Sequence, residues 1–252
     1  MKSTWFGNKQ RYEFAKLIQE ADYSMHGWDL YNSWLQVASG SMRQACHVMR
    51  TGVKDDRIEQ TVIEHQKRVK HPENFARAMG VLVAALEKES DDFLGSVLME
   101  WGQSDVRFKG QCFTPMPVCR MMAALTIGDR KPDPDERLMI SEPTCGGGAM
   151  VIATSEVLKA NGFFPWNYHW QCVDVDWRMF AACYIQTTLL GIPAEVVHGN
   201  TLSQEQWDTA ETISAVLYPV RKRPAVRIDE PVQDEIVTES VGLGEFKQLT
   251  LF

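Results

Sequence analysis

The chain has 252 residues, 44% of them hydrophobic, and a formal net charge of −7 at pH 7. That is apolar material for one large domain, or for a domain with an accessory piece, and the acidic balance excludes a protein that coats DNA by charge alone. No apolar run approaches a membrane span, and the start, Met1-Lys2-Ser3-Thr4-Trp5, lacks the pattern of a signal peptide, so a cytoplasmic protein is expected.

Charge is unevenly placed. Residues 1–110 balance, with 15 Lys/Arg against 15 Asp/Glu, whereas residues 111–220 hold 6 against 12. The acidic half suits a cationic ligand and repels phosphates, so DNA contact there needs local basic clusters or a partner. The six cysteines (46, 112, 119, 145, 172 and 183) show no Cys-x-x-Cys spacing and read as reduced, buried thiols. No zinc or other metal site is expected. His26, His47, His65 and His71 are scattered without ligand spacing.

Residues 10–103 read as helices. Phe14, Leu17 and Ile18 share one face, then Leu30, Trp34, Leu35 and Ala38, then Ala45, Cys46 and Met49. Val81, Leu82, Ala85 and Leu86 follow, and then Phe93, Leu94, Val97, Leu98 and Trp101. These stripes read as bundle core. The basic stretch Lys54, Arg57, Lys67, Arg68 and Lys70 reads as a solvated helix face, with phosphate contact the alternative.

From Val118 the pattern changes to alternating helix and strand. A helix is expected over Val118–Leu125, a strand over Arg137–Ser141, a helix over Ala149–Lys159 and a strand over Tyr168–Asp174. A helix over Arg178–Leu190, a short strand over Ala194–His198 and a fourth strand over Ile213–Leu217 complete the series. This rhythm implies a mostly parallel sheet with its ligand at the carboxyl ends of the strands. The motifs lie there. Glu142-Pro143-Thr144-Cys145-Gly146-Gly147-Gly148 places an acid at a strand end and glycines at the start of a helix. Backbone approaches a ligand closely in such a loop, and the helix N-terminus favours a carboxylate or phosphate. Asp174 ends the next strand, where two carboxylate oxygens can accept from both hydroxyls of a ribose.

Gly110-Gln111-Cys112-Phe113-Thr114-Pro115, about thirty residues before the glycine loop, adds a second signature. Gln-x-Phe-Thr-Pro followed by Glu-Pro-x-Cys-Gly-x-Gly resembles the N6-adenine DNA methyltransferases, above all the modification subunits of type I restriction systems. Those carry Gln-Phe-Phe-Thr-Pro and Asp-Pro-Ala-Cys-Gly-Ser-Gly, so this chain differs at Cys112, Glu142, Thr144 and Gly147. The short approach Asp92-Phe93-Leu94-Gly95 resembles the junction between their helical region and catalytic domain. His198-Gly199-Asn200-Thr201-Leu202 and Ile192-Pro193-Ala194 resemble a small subgroup found in phages and mobile elements. The resemblance covers roughly residues 90–208.

It implies an α/β fold, the doubly wound sheet of S-adenosylmethionine (SAM)-dependent methyltransferases, preceded by an all-helical N-terminal domain. The expected division is 1–105 helical, 106–220 methyltransferase-like and 221–252 a flexible tail. SAM is the implied cofactor, lined by Phe113, Thr114, Pro115, Glu142, Cys145, Gly146, Gly148, Asp174 and Asn200. Asp174-Val175-Asp176 resembles the family's acidic-hydrophobic-acidic triplet, with Asp176 second choice for the ribose. Asn200 stands where the family has Asp, and can still accept from the adenine amine through its carbonyl oxygen. DNA and a specificity subunit are the implied partners.

One signature is missing. The family carries Asn/Asp-Pro-Pro-Tyr/Phe after its fourth strand, where polar acceptors aim the target amine and an aromatic ring stacks on the flipped base. This chain has no Pro-Pro; Tyr218-Pro219 is the nearest candidate, with Tyr218 where the Asn or Asp should be. That leaves three possibilities open: an adenine-N6 methyltransferase-like enzyme tethered to the replication sliding clamp, an inactive methyltransferase-fold protein regulating replication or restriction through the clamp or a partner, or an enzyme whose site a partner chain completes. The chain ends on Gln248-Leu249-Thr250-Leu251-Phe252, which resembles the bacterial sliding-clamp-binding motif. The resemblance implies that Gln248, Leu249, Leu251 and Phe252 dock on the clamp, with Leu251 and Phe252 as apolar anchors.

Overall fold

The computed structural model describes residues 8–101 and 114–220, together with the backbone of 248–250. Helices α1 (Lys9–Ala21), α2 (Gly27–Thr51), α3 (Asp56–Lys67), α4 (Glu73–Lys88) and α5 (Phe93–Trp101) come first. Their ends follow local chemistry. The Asn8 side chain caps α1 through Gln10 N, Asp55 caps α3 through Arg57 N and Ile58 N, and Gly52 closes α2 in the left-handed conformation. The apolar stripes meet in an aromatic centre, where Phe14 packs edge-on against Trp34 at 4.8 Å and Phe93 at 5.5 Å. Buried polar tips are satisfied: Trp34 Nε1 donates to Phe75 O and Tyr31 OH to Leu94 O, each at 3.1 Å.

The second part runs α6 (Met116–Ile127), β1 (Leu138–Glu142), α7 (Ala149–Ala160), β2 (Tyr168–Asp174), α8 (Trp177–Leu189), β3 (Ala194–Asn200), β4 (Glu205–Glu211) and α9 (Ile213–Leu217). A last strand, β5, is Gln248–Thr250. The sheet order is β4-β3-β2-β1-β5, parallel except for β4, which runs antiparallel to β3. Leu138, Ile140, Trp170, Cys172, Ala194 and Val196 share a face and join one core with α7, α8 and the helices before them. The architecture is therefore a helical N-terminal part on a mixed α/β sheet, sharing a continuous core that begins at Phe14 and reaches Ala210.

One element departs from expectation. Ile213–Leu217 is a short helix, capped by Thr212, whose hydroxyl accepts from Ala215 N. The strand is Glu205–Glu211, and most of it is exposed. It has no apolar alternation to reveal it; ion pairs to α2 hold it instead. Arg43 donates to both carboxylate oxygens of Asp208 at 2.8 and 2.6 Å, and Arg50 pairs with Glu211. A bulge between His198 and Gly199 adjusts its register, and Gly199 is required there because a Cβ would lie 2.3 Å from Glu205 O. β5 pairs along β1, Met139 with Gln248 through Ser141 with Thr250. The expected clamp-binding pentapeptide thus contributes an edge strand; Leu251 and Phe252 lie outside the described residues, as do 221–247.

Candidate functional site

The site is built where β1, β2 and β3 end. After Glu142 the chain turns through Pro143–Gly148 into α7. Gly146 and Gly148 have φ of +53° and +103°, conformations that other L residues adopt only under strain. The loop is fastened to β2 twice: Cys145 N donates to Val173 O at 2.9 Å, and Gly146 N to the Asp174 carboxylate at 2.9 Å. The other Asp174 oxygen accepts from Asp176 N at 2.9 Å. Glycine loop and second-strand acid, distant in sequence, form one unit.

Asp176 has a different duty. Its carboxylate caps α8 through Arg178 N and takes a two-point ion pair from the Arg178 guanidinium at 2.8 and 2.6 Å. Arg178 in turn lies over the Trp28 ring, 4.8 Å from its centroid. This leaves Asp174 as the acid facing the loop. Asn200 ends β3 with its side-chain oxygen already accepting from Leu202 N at 3.0 Å and Ser203 N at 3.4 Å. The acceptor that sequence reasoning reserved for an adenine amine therefore also shapes its own turn. Thr201 Oγ1 donates to Pro143 O at 2.5 Å, drawing that turn onto the glycine loop.

Thr114 and Pro115 immediately precede α6, and Met116, like Ala149 and Met150 at the start of α7, packs against a small core of Cys119, Ala123 and Ala153. Both motif residues thus lead into the helix that packs against α7. Phe113 lies outside the described residues. Cys145 is buried against Cys172 and Cys183. Its hydrogen bond with Cys183, together with burial, holds its thiol well above the ordinary cysteine range, so it is an inert packing group.

Two residues that shape the loop were missed as such in the sequence. Asp92, at the approach to α5, is 5% exposed; its Oδ1 accepts from Gly95 N and from Gln186 Nε2, each at 2.9 Å. Gln186 is fully buried in α8 and also donates to Gly147 O at 2.7 Å. A Cβ on Gly147 would lie 2.4 Å from Asp92 Oδ1. The Asp92 carboxylate before α5 and the Gln186 amide of α8 therefore brace the glycine loop. The available signal was a lone Gln within an otherwise apolar helical stripe.

The loop is ringed by buried acids. Burial pushes Glu142 up to about 8 and Asp92 up to about 6, and raises Asp174 as well. Glu142 accepts a hydrogen bond from Thr144 N at 3.4 Å, and no described cation pairs with it or with Asp174. Buried carboxyls without a counter-charge fit a cationic ligand, as SAM is. Among the described residues no group of His, Cys, Asp and Glu could hold a metal, and no helix is long and apolar enough to cross a membrane.

Tyr218 and Pro219 are elsewhere. The Tyr218 ring meets Trp166, which precedes β2, at 5.6 Å, and Thr212 N bonds to Ala194 O at the amino end of β3. Asp174 lies at the opposite end of β2, roughly 20 Å away by the rise of seven strand residues. Tyr218 and Pro219, the nearest candidates for the target-base pocket, therefore lie at the amino end of the sheet, away from the glycine loop. The reason is the antiparallel β4, which carries the chain back to the amino end of the sheet.

The family described as N-6 DNA Methylase matches residues 90–219, just over half of the chain. The chain belongs to this family. No curated protein sequence matches it. Among solved structures it is similar to a protein assigned to the class I SAM-dependent methyltransferases from Listeria monocytogenes, at 12% identity and a TM-score of 0.43 over 80% of this chain and 56% of that one. It is also similar to the methyltransferase subunit of a type I restriction-modification system from Streptococcus thermophilus, at 12% identity and a TM-score of 0.34 over 75% and 56%. A third is DrdV in complex with DNA, at 17% identity and a TM-score of 0.39 over 78% and 23%. The chain thus spans little more than half the length of the first two.

Proposed function

We propose that this member of the N-6 DNA methylase family binds SAM at the carboxyl ends of β1–β3 and is the cofactor-binding part of an adenine-N6 DNA methyltransferase. The observation that carries this reading is the bond from Gly146 N to Asp174, which joins the glycine loop to the second-strand acid. Asp174 receives the ribose hydroxyls on its remaining lone pairs. Glu142 and Asp174 supply negative charge to the cofactor's cationic end. Val175, 58% exposed beside Asp174, offers an apolar face to the adenine ring. When bound, the cofactor supplies an electrophilic methyl group; this chain's residues hold and orient it.

The target-base pocket is assigned to a partner chain, a specificity or second modification subunit, because Tyr218 and Pro219 are at the wrong end of the sheet. Calorimetry with SAM tests the cofactor half: binding is expected, weakened at least tenfold by Asp174→Ala. Absence of binding in a folded preparation would overturn the reading. Label transfer from radiolabelled SAM to adenine in DNA, with the purified chain alone, would overturn the need for a partner.

The same displacement of Tyr218 favours a second reading, a non-catalytic interaction protein docked on a sliding clamp through Gln248, Leu249, Leu251 and Phe252. The pairing of Gln248–Thr250 with β1 competes with such docking, since one backbone edge cannot serve both. Deleting residues 248–252 abolishes function on this reading while Asp174→Ala leaves it intact; the methyltransferase reading expects the reverse.

A further inference from the structure

The turn after β2 is held from three sides. Asp174 is bonded to the glycine loop through Gly146 N, and Asp176 is committed to the start of α8 and to Arg178. Between them stands Val175, whose side chain is turned to solvent and whose carbonyl oxygen lies 3.2 Å from His198 Nε2. A carbonyl oxygen can only accept, so Nε2 carries the hydrogen and donates it. His198 is thereby fixed as a donor on that nitrogen.

The ladder between β2 and β3 ends at the pair Asp174–His198. The imidazole carries the connection one residue further, from β3 to the backbone of the turn. Its ring is seated between two others. Phe180 of α8, itself buried, meets it at 5.9 Å with planes 36° apart, and Trp207 of β4 meets it edge-on at 5.0 Å. A donor held between two rings has lost its rotational freedom before any ligand arrives, which is what a positioning group requires.

We infer that His198 is the positioning residue for the adenine side of the cofactor site. By holding Val175 O it fixes the peptide that carries the Val175 side chain, and with it the apolar face offered to the adenine ring. The inference rests on the proposed binding of SAM at this turn. Without the bond the Val175 peptide is free to rotate, and the cost of ordering it falls on cofactor binding.

Calorimetry of the full chain with SAM and with 5′-methylthioadenosine tests it; the second ligand has the adenine and ribose of SAM without the amino-acid end. His198→Phe keeps an aromatic ring between Phe180 and Trp207 and removes the donor. Both ligands should then bind about fivefold more weakly, by the same factor. His198→Gln, whose amide can reach the position of Nε2, should restore most of the affinity for both. Packing alone predicts the opposite order of the two variants. Long-range proton–nitrogen NMR correlation on the unaltered protein needs no variant: His198 should carry its hydrogen on Nε2, with its resonance displaced when SAM is added. A parent that binds no SAM overturns the proposed function and this inference with it. With SAM bound by the parent, four results overturn the inference alone. They are full affinity for both ligands in a folded His198→Phe, weakening of SAM but not of 5′-methylthioadenosine, a His198→Gln that binds no better than His198→Phe, and a hydrogen on Nδ1 in place of Nε2.

Discussion

The glycine loop and the edge strand β4 are built by different physics. At the carboxyl end the glycine loop, Asp174, Asp92 and Gln186 form one largely buried unit joined by hydrogen bonds. At the far edge, β4 is a polar strand held from outside by arginines of α2. A buried network fails when one member is altered, whereas a solvated edge tolerates substitution. The contrast sets the order of the effects expected below.

Gly147→Ala should have the largest effect. Its Cβ would meet Asp92 Oδ1 at 2.4 Å, and Asp92 cannot withdraw without abandoning Gly95 N and Gln186. Overpacking of this kind costs about 1–3 kcal/mol, and the loop shift should abolish SAM binding. Thermal unfolding and calorimetry on the same preparation check both. If Gly147→Ala binds SAM as well as the parent, the bracing from the helical part is not needed to shape the loop.

Gln186→Leu comes next. The change removes one donor that satisfies both Asp92 and Gly147 O, leaving a buried carboxyl and a carbonyl short of a partner. A loss of about 1–3 kcal/mol is expected, and Asp92→Asn, which retains the acceptor oxygen, should be milder than Asp92→Ala. Denaturant unfolding of the three variants gives the ranking. The reverse order for the two Asp92 variants would mean that the carboxylate's charge matters rather than its bond.

How much of this was legible follows from the same contrast. The glycine loop and Asp174 could be read because their chemistry restricts residue type: left-handed backbone selects glycine at 146 and 148, and a strand-end acid is uncommon without a purpose. Tyr168–Asp174 was placed to the residue because both faces of that strand are largely buried. Glu205–Glu211 was not legible, since a strand stabilised by ion pairs from a helix about 160 positions earlier leaves no periodic trace in its own sequence. Ile213–Leu217 has the apolar content of a strand, yet the Thr212 cap starts a helix. Asp92 was seen as part of a junction; that it faces Gly147 is a tertiary fact no spacing reveals.

The acids give a pH prediction of intermediate size. Glu142 ionises near 4.5 ordinarily and near 8 in the fold. Between those values the folded state keeps a proton that the unfolded chain has lost, so stability falls as pH rises through this window and levels off above it. Glu142→Gln should remove that slope, gaining most over the parent above pH 8. A cationic ligand favours the ionised carboxyls, so SAM binding near pH 7 should release protons. Calorimetry in buffers of different ionisation enthalpy measures this directly, and Glu142→Gln should reduce the release. A stability curve identical in parent and variant would show that Glu142 does not carry the effect.

The smallest effects belong to the edge. Arg50 is mostly exposed and its pair with Glu211 is screened by water, so Arg50→Ala should cost no more than about 0.5 kcal/mol. Arg43 makes two bonds to Asp208 and also lies over the Phe180 ring at 5.8 Å, with its side chain 24% exposed. Arg43→Ala should therefore cost about 1 kcal/mol, falling in high salt only in part because the ring contact survives screening. A double-mutant cycle with Asp208→Ala isolates the pair, with a coupling of about 0.5–1 kcal/mol expected. SAM affinity should not change in any of these variants, because β4 shares no hydrogen bond with the glycine loop among the described residues. A loss of cofactor binding in Arg43→Ala would break the comparison, since it would mean that the register of β4 reaches the site through Asn200, the last residue of β3, which pairs with Glu205.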